Sequence, residues 1–207
     1  PVLEEDSPQR KAVARAVEAA DCSASVPLLY LQSRLGKLLG LDVSGLLALL
    51  DQGEAAGGVF LDNLKTATPW VLKAVGVEYL LDQARRGEGE AALHIAAHFS
   101  NLMKVSENVV VRRLAGSALL DVAPMLTPPR RNEVAVELCE ALETGQSEIS
   151  QYIPPYLGQF LLWLTPRELD EILGELLRFL SSSSASVAAA ALGTVGSLLE
   201  HYRVYAK

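Results

Sequence analysis

His94-Ile95-Ala96-Ala97-His98 sets two imidazoles four residues apart, one turn on a helix. Glu90 precedes His94 by the same step, so Glu90, His94 and His98 share one helix face. Two histidines at this spacing can chelate zinc, as in the H-E-x-x-H motif, whose glutamate is the general base. Ile95 stands where that glutamate would be. The stripe reads either as metal ligands or as a polar, hydrogen-bonding helix face. A second pattern is acidic. Glu133, Glu137 and Glu140 run beside the apolar Val134, Leu138 and Leu142, and Glu168, Glu171 and Glu175 do the same further on, ending at Arg178. Side by side, these rows make a docking groove for a basic peptide or protein segment; apart, they are a solvated face. Tyr152, Tyr156, Phe160 and Trp163 follow helical spacing around Pro154-Pro155. They read as core, or as a binding ridge if a proline kink exposes the two tyrosines.

Other chemistry finds no residues to carry it. The chain has no G-x-S-x-G elbow and no glycine-rich phosphate loop. Cys22 and Cys139 have no sequence-local base; they read as buried thiols in a reducing compartment, so the expected location is cytoplasmic. No cofactor is expected. Lys and Arg number 18 against 25 Asp and Glu, a formal charge of -7, which disfavours nucleic acid. Arg85-Arg86 and Arg130-Arg131 are short basic pairs flanked by acids. No apolar run reaches the roughly 18 residues that cross a bilayer, and neither a membrane nor a signal peptide is expected. The chain opens on Pro1 rather than Met, which fits an excerpt of a larger polypeptide or a processed product.

The elements that must position these residues repeat themselves. Leu126-Thr127-Pro128 returns 38 positions later as Leu164-Thr165-Pro166, and Val134, Leu138 and Leu142 return as Ile172, Leu176 and Leu180. Self-similarity at this period marks stacked two-helix units, each covering its neighbour's apolar face. Ser7-Pro8, Thr68-Pro69, Thr127-Pro128 and Thr165-Pro166 each set a capping hydroxyl before a proline at the first helical position. Thr165 and Glu168 add a capping-box spacing. The pattern predicts helices over 8–20, 26–39, 42–51, 54–66, 69–86, 89–103, 107–123, 128–143, 147–163, 166–180 and 185–203, and no strand. Residues 1–88 read as an irregular helical part and 89–207 as the regular repeats. Trp70 and Phe60 read as core at their junction.

Glu107-Asn108-Val109-Val110-Val111-Arg112-Arg113-Leu114-Ala115 resembles the first helix of a HEAT repeat: a polar turn, a Val-Arg pair, then small and large apolar residues. Ser186-Val187-Ala188-Ala189-Ala190-Ala191-Leu192-Gly193 resembles it without the arginine, and Ile149–Leu161 matches in apolar spacing but is interrupted by Pro154-Pro155. The resemblance covers residues 106–203. It implies an all-α fold, an α-solenoid of stacked antiparallel helix pairs whose second helices line a concave, partner-holding face, and it implies no reaction. The His-Glu pairs of helical-repeat deoxyhypusine hydroxylases and the basic concave face of HEAT-like DNA glycosylases are both missing.

The expected function is that of a noncatalytic protein- or peptide-binding scaffold. Glu133, Glu137, Glu140, Glu168, Glu171 and Glu175 would form its acidic groove, with Tyr152 and Tyr156 beside it. The alternative is a metal-dependent enzyme or metal-binding module centred on His94 and His98. A third reading is self-association through the last helix, with Val187, Ala191, Val195 and Leu199 on its uncovered face.

Overall fold

The structure, a computed structural model, describes residues 7–23, 26–54, 69–86, 89–144 and 150–205. Every regular element among them is helical. The α-helices are α1 (Pro8–Ala19), α2 (Val26–Leu39), α3 (Ser44–Glu54), α4 (Trp70–Arg86), α5 (Gly89–Val105), α6 (Val109–Val122), α7 (Pro128–Glu143), α8 (Pro154–Phe160), α9 (Pro166–Leu180) and α10 (Ala185–Tyr205). Single 3-10 turns, Ala123–Met125 and Leu161–Trp163, extend α6 and α8. The helix expected over 54–66 and the positions of Phe60 and Thr68 fall outside the described residues.

Capping chemistry sets the starts. Ser7 Oγ accepts from the Arg10 amide at 3.2 Å, with proline in the first turn. At α9 Thr165 Oγ1 accepts from Glu168 N at 3.4 Å, and Glu168 Oε2 accepts from Thr165 N at 2.9 Å, a complete capping box. These bonds favour the charged form of Glu168 and hold its carboxyl below the usual range. Thr127 adopts the extended cap conformation without a side-chain cap bond, so proline and backbone carry that start. Asn108 caps α6; its Oδ1 accepts from Val110 N at 2.9 Å. Pro154-Pro155 does not kink a helix. The two prolines occupy the first turn of α8, where their missing N–H groups had no intrahelical partner.

Two compact units divide the chain at Tyr79 and Leu80, inside α4. In the first, α2 packs on α1 and α3. The Gln32 amide nitrogen donates to Val17 O and Ala20 O, both at 2.7 Å, and so satisfies carbonyls orphaned at the end of α1. Tyr30 meets Tyr79 edge-on, with ring centroids 5.3 Å apart. Trp70 is exposed instead of core.

In the second unit the helices form two rows. Consecutive helices pair as α5 with α6 and α9 with α10, while α5–α7–α9 and α6–α8–α10 pack alongside within each row. The α6–α8–α10 row closes through glycine. A Cβ on Gly116 would sit 2.6 Å from the Tyr156 ring, and one on Gly158 would meet Thr194 O at 2.6 Å and Leu198 N at 2.7 Å. Only hydrogen fits at either place. Phe99, Met103, Val111, Leu119, Leu138, Leu142, Ile153, Leu157, Phe160 and Leu176 are fully buried in this unit. Arg112, 9% exposed, is buried with them. Its Nε donates to the Ser106 carbonyl and its guanidinium lies 5.2 Å from the Tyr152 ring centre. The Val-Arg pair that carries the HEAT resemblance is thus an internal staple, tying the start of α6 to the turn before α8.

Candidate functional site

The histidine stripe comes apart when its burial is followed. His94 is exposed, whereas His98 is half-buried and its Nε2 is enclosed without a hydrogen-bond partner. Burial pushes the His98 imidazole below its ordinary value, since a charged ring would lose its hydration there. The Glu90 side chain lies outside the described residues. Among the described residues no three His, Cys, Asp or Glu side chains gather in a way that could hold a metal ion.

The acidic rows do meet. Helices α7 and α9 pack alongside, and Arg178 on α9 reaches Glu143 of α7 at 3.0 Å and Glu175 of its own helix at 2.8 Å. Both carboxylates raise the basicity of the guanidinium. Beneath them Cys139 is buried; burial first, then the charge of Glu175, pushes its thiol up to about 12. Most of the candidate glutamates already hold cations. Glu133 pairs with Arg130 at 2.6 Å, Glu171 with Arg167 at 3.1 Å and Glu137 with Lys104 of α5. Glu168 is committed to the α9 cap, and Glu140 is exposed on the outer side of α7. The surface remains acidic, with eight carboxylates against four arginines along α7 and α9. Each of those exposed pairs contributes little stability and exchanges readily for an incoming cation.

The tyrosines are packing residues. Tyr156 covers Gly116, and burial raises its phenol above the usual value. Tyr152 stacks on Arg112. Phe160 is core, as its spacing predicts, but Trp163 is 41% exposed, with Arg131 over one face at 5.6 Å from the ring centre. Arg131 also donates to Ala123 O at 2.9 Å and Trp163 O at 3.3 Å, which fixes the two 3-10 turns against the start of α7.

Trp163 lines a cleft of about 720 Å³ in the second unit that the sequence gives no direct sign of. Leu120, Pro124, Leu162 and Tyr202 supply the rest of its apolar wall, and Ser117, Asp121, Gln159 and His201 its polar groups. Ser117, Leu120 and Asp121 share a face of α6 through their i, i+3, i+4 spacing. Asp121 holds Arg85 of α4 at 3.0 Å. The Gln159 amide donates to Pro155 O at 2.8 Å, and His201 Nδ1 donates to Ser197 O at 2.8 Å, leaving Nε2 as the acceptor of the neutral ring. Among the described residues lining the cleft, no nucleophile is hydrogen-bonded to a base. An apolar hollow with a few fixed polar groups suits binding. No protein-family model matches the chain, and a search of curated proteins returns no relative.

Proposed function

We propose that this chain is a noncatalytic protein- or peptide-binding module built on a HEAT-like solenoid. Support for the architecture comes from the 38-residue repeat and from the paired rows α5–α7–α9 and α6–α8–α10. The observation that carries the binding function is the cleft lined by Trp163 and Tyr202, which are 41% and 59% exposed. Exposed tryptophan and tyrosine beside a concave apolar wall are the groups that dominate recognition energetics. On this reading a partner segment inserts a large apolar side chain into the cleft and hydrogen-bonds at its polar rim. A second reading keeps the α7/α9 surface as the dock for a basic segment, favoured by its excess of carboxylates.

Peptides selected by display on the full chain separate the two. Cleft binding is expected to fall at least about tenfold in Trp163→Ala or Tyr202→Ala, the loss that follows from about 1.4 kcal/mol at a recognition hot spot. Selected peptides that ignore both substitutions, are rich in Lys and Arg and release in salt would move the site to α7 and α9.

A further inference from the structure

Two polar groups in the cleft are turned the same way. His201 Nδ1 lies 2.8 Å from Ser197 O and must carry the ring proton, because a carbonyl can only accept. Its Nε2 is then a lone-pair acceptor. The Gln159 amide nitrogen lies 2.8 Å from Pro155 O, which leaves Oε1 as a second acceptor. Neither atom is enclosed, and among the described residues neither has a hydrogen-bond partner. Their orientation is fixed from behind. Ser197 Oγ donates to the same Pro155 O at 3.0 Å, so one run of hydrogen bonds links α10 to α8, with His201 at one end and Gln159 at the other. The two helices close on each other beside it, at Gly158. Acceptors held this way cannot swing aside when the cleft fills.

An occupant that is purely apolar would strip water from both acceptors and leave them unpaired, which costs more than their bonds to water returned. A cation would pair with them but gains nothing further. Asp121, the carboxylate in the lining, already holds Arg85 at 3.0 Å, and Arg131 stands over Trp163 at 5.6 Å from the ring centre. Trp163 and Tyr202 favour an aromatic body. Building on the reading of the cleft as the recognition site, we propose that it selects an aromatic anchor ending in a neutral hydrogen-bond donor. The side chains that answer to this are the indole of a partner tryptophan and the phenol of a partner tyrosine.

Titration of the full chain with indole, 3-methylindole and 1-methylindole, followed by ligand-observed NMR, tests it. The two methyl isomers have the same size, and only the 1-methyl form lacks the N–H. Indole and 3-methylindole are expected to bind about three- to tenfold tighter than 1-methylindole, the span of one neutral hydrogen bond. His201→Phe combined with Gln159→Leu should make the three bind alike, with an unchanged circular dichroism spectrum. A preference shown by phenol over anisole alone assigns the anchor to tyrosine. Equal binding of all the probes by the parent chain, lost in Trp163→Ala, overturns the donor preference and keeps the cleft. Binding of none, or binding indifferent to Trp163→Ala, overturns the cleft as well. Phenethylammonium held tighter than indole or phenol overturns the neutral class in favour of a cation.

Discussion

Helices α9 and α10 are neighbours in sequence and in space, yet they treat water in opposite ways. The outer side of α9 carries ion pairs, Arg167 with Glu171 and Arg178 with Glu175 and Glu143, beside the exposed Leu177 and Leu180. That of α10 is alanine, leucine and glycine. The same contrast runs through the rows to which they belong. Along α5–α7–α9, ion pairs join helix to helix, Lys104 with Glu137 and Arg178 with Glu143. Along α6–α8–α10, backbone approaches backbone through Gly116 and Gly158. One row is tolerant and wetted, the other close-packed and intolerant. The second unit therefore places its close backbone packing and its interhelical ion pairs in different rows.

Glycine substitutions should break this contrast most visibly. Gly158→Val forces a branched side chain against the backbone of α10 and should cost about 3 kcal/mol, the upper end of overpacking. Gly174 on α9 has open space around its Cβ position. Gly174→Ala should instead stabilise by about 0.5–1 kcal/mol through helix propensity. Thermal melts of the two variants should move in opposite directions; equal losses would end the distinction between rows. Next in size is Arg112→Met, which keeps the stem but removes a charged donor from a buried carbonyl. A loss of about 2 kcal/mol in chemical denaturation is expected.

The smallest effect comes from pH, in the wetted row. The folded chain binds a proton at His98 more weakly than the unfolded chain does, because the ring is enclosed. Above the ordinary imidazole range both states are neutral and His98 contributes no slope. As pH falls below about 6.5 the unfolded chain is protonated first, so stability drops modestly until the folded ring titrates. Denaturation midpoints between about pH 7 and 5 should show this slope in the parent and a shallower one in His98→Gln. An unchanged slope would mean that the ring is hydrated.

These properties differ in how local their causes are, and so in how legible they were. Helix type and most starts could be read because caps and prolines act within four residues: Ser7-Pro8 and Thr165-Pro166 sit where the sequence places them. Pro154-Pro155 defeated the same logic, since a proline pair looks alike as an interruption and as a first turn. Of the α10 face expected to be free, Leu199 is exposed and Val187 and Ala191 are buried, because a helix made largely of Ala, Val, Leu and Gly has no charged side to orient it. The acidic rows were legible as rows, but not their cations. Glu143 finds Arg178 and Glu137 finds Lys104, pairs separated by 35 and 33 residues. The cleft was invisible for the same reason, being assembled from Ser117, Trp163 and Tyr202 on distant segments.

The buried thiol beneath the α7/α9 ion pairs has a consequence for how the chain meets oxidants. With a value pushed to about 12, only about one Cys139 in 100,000 is a thiolate at neutral pH, and the thiolate is the species that peroxides and disulfides attack. The carboxylates around it repel anionic oxidants as well. Cys22 is half-exposed and has no such shielding. A thiol-alkylating dye should therefore mark Cys22 and spare Cys139.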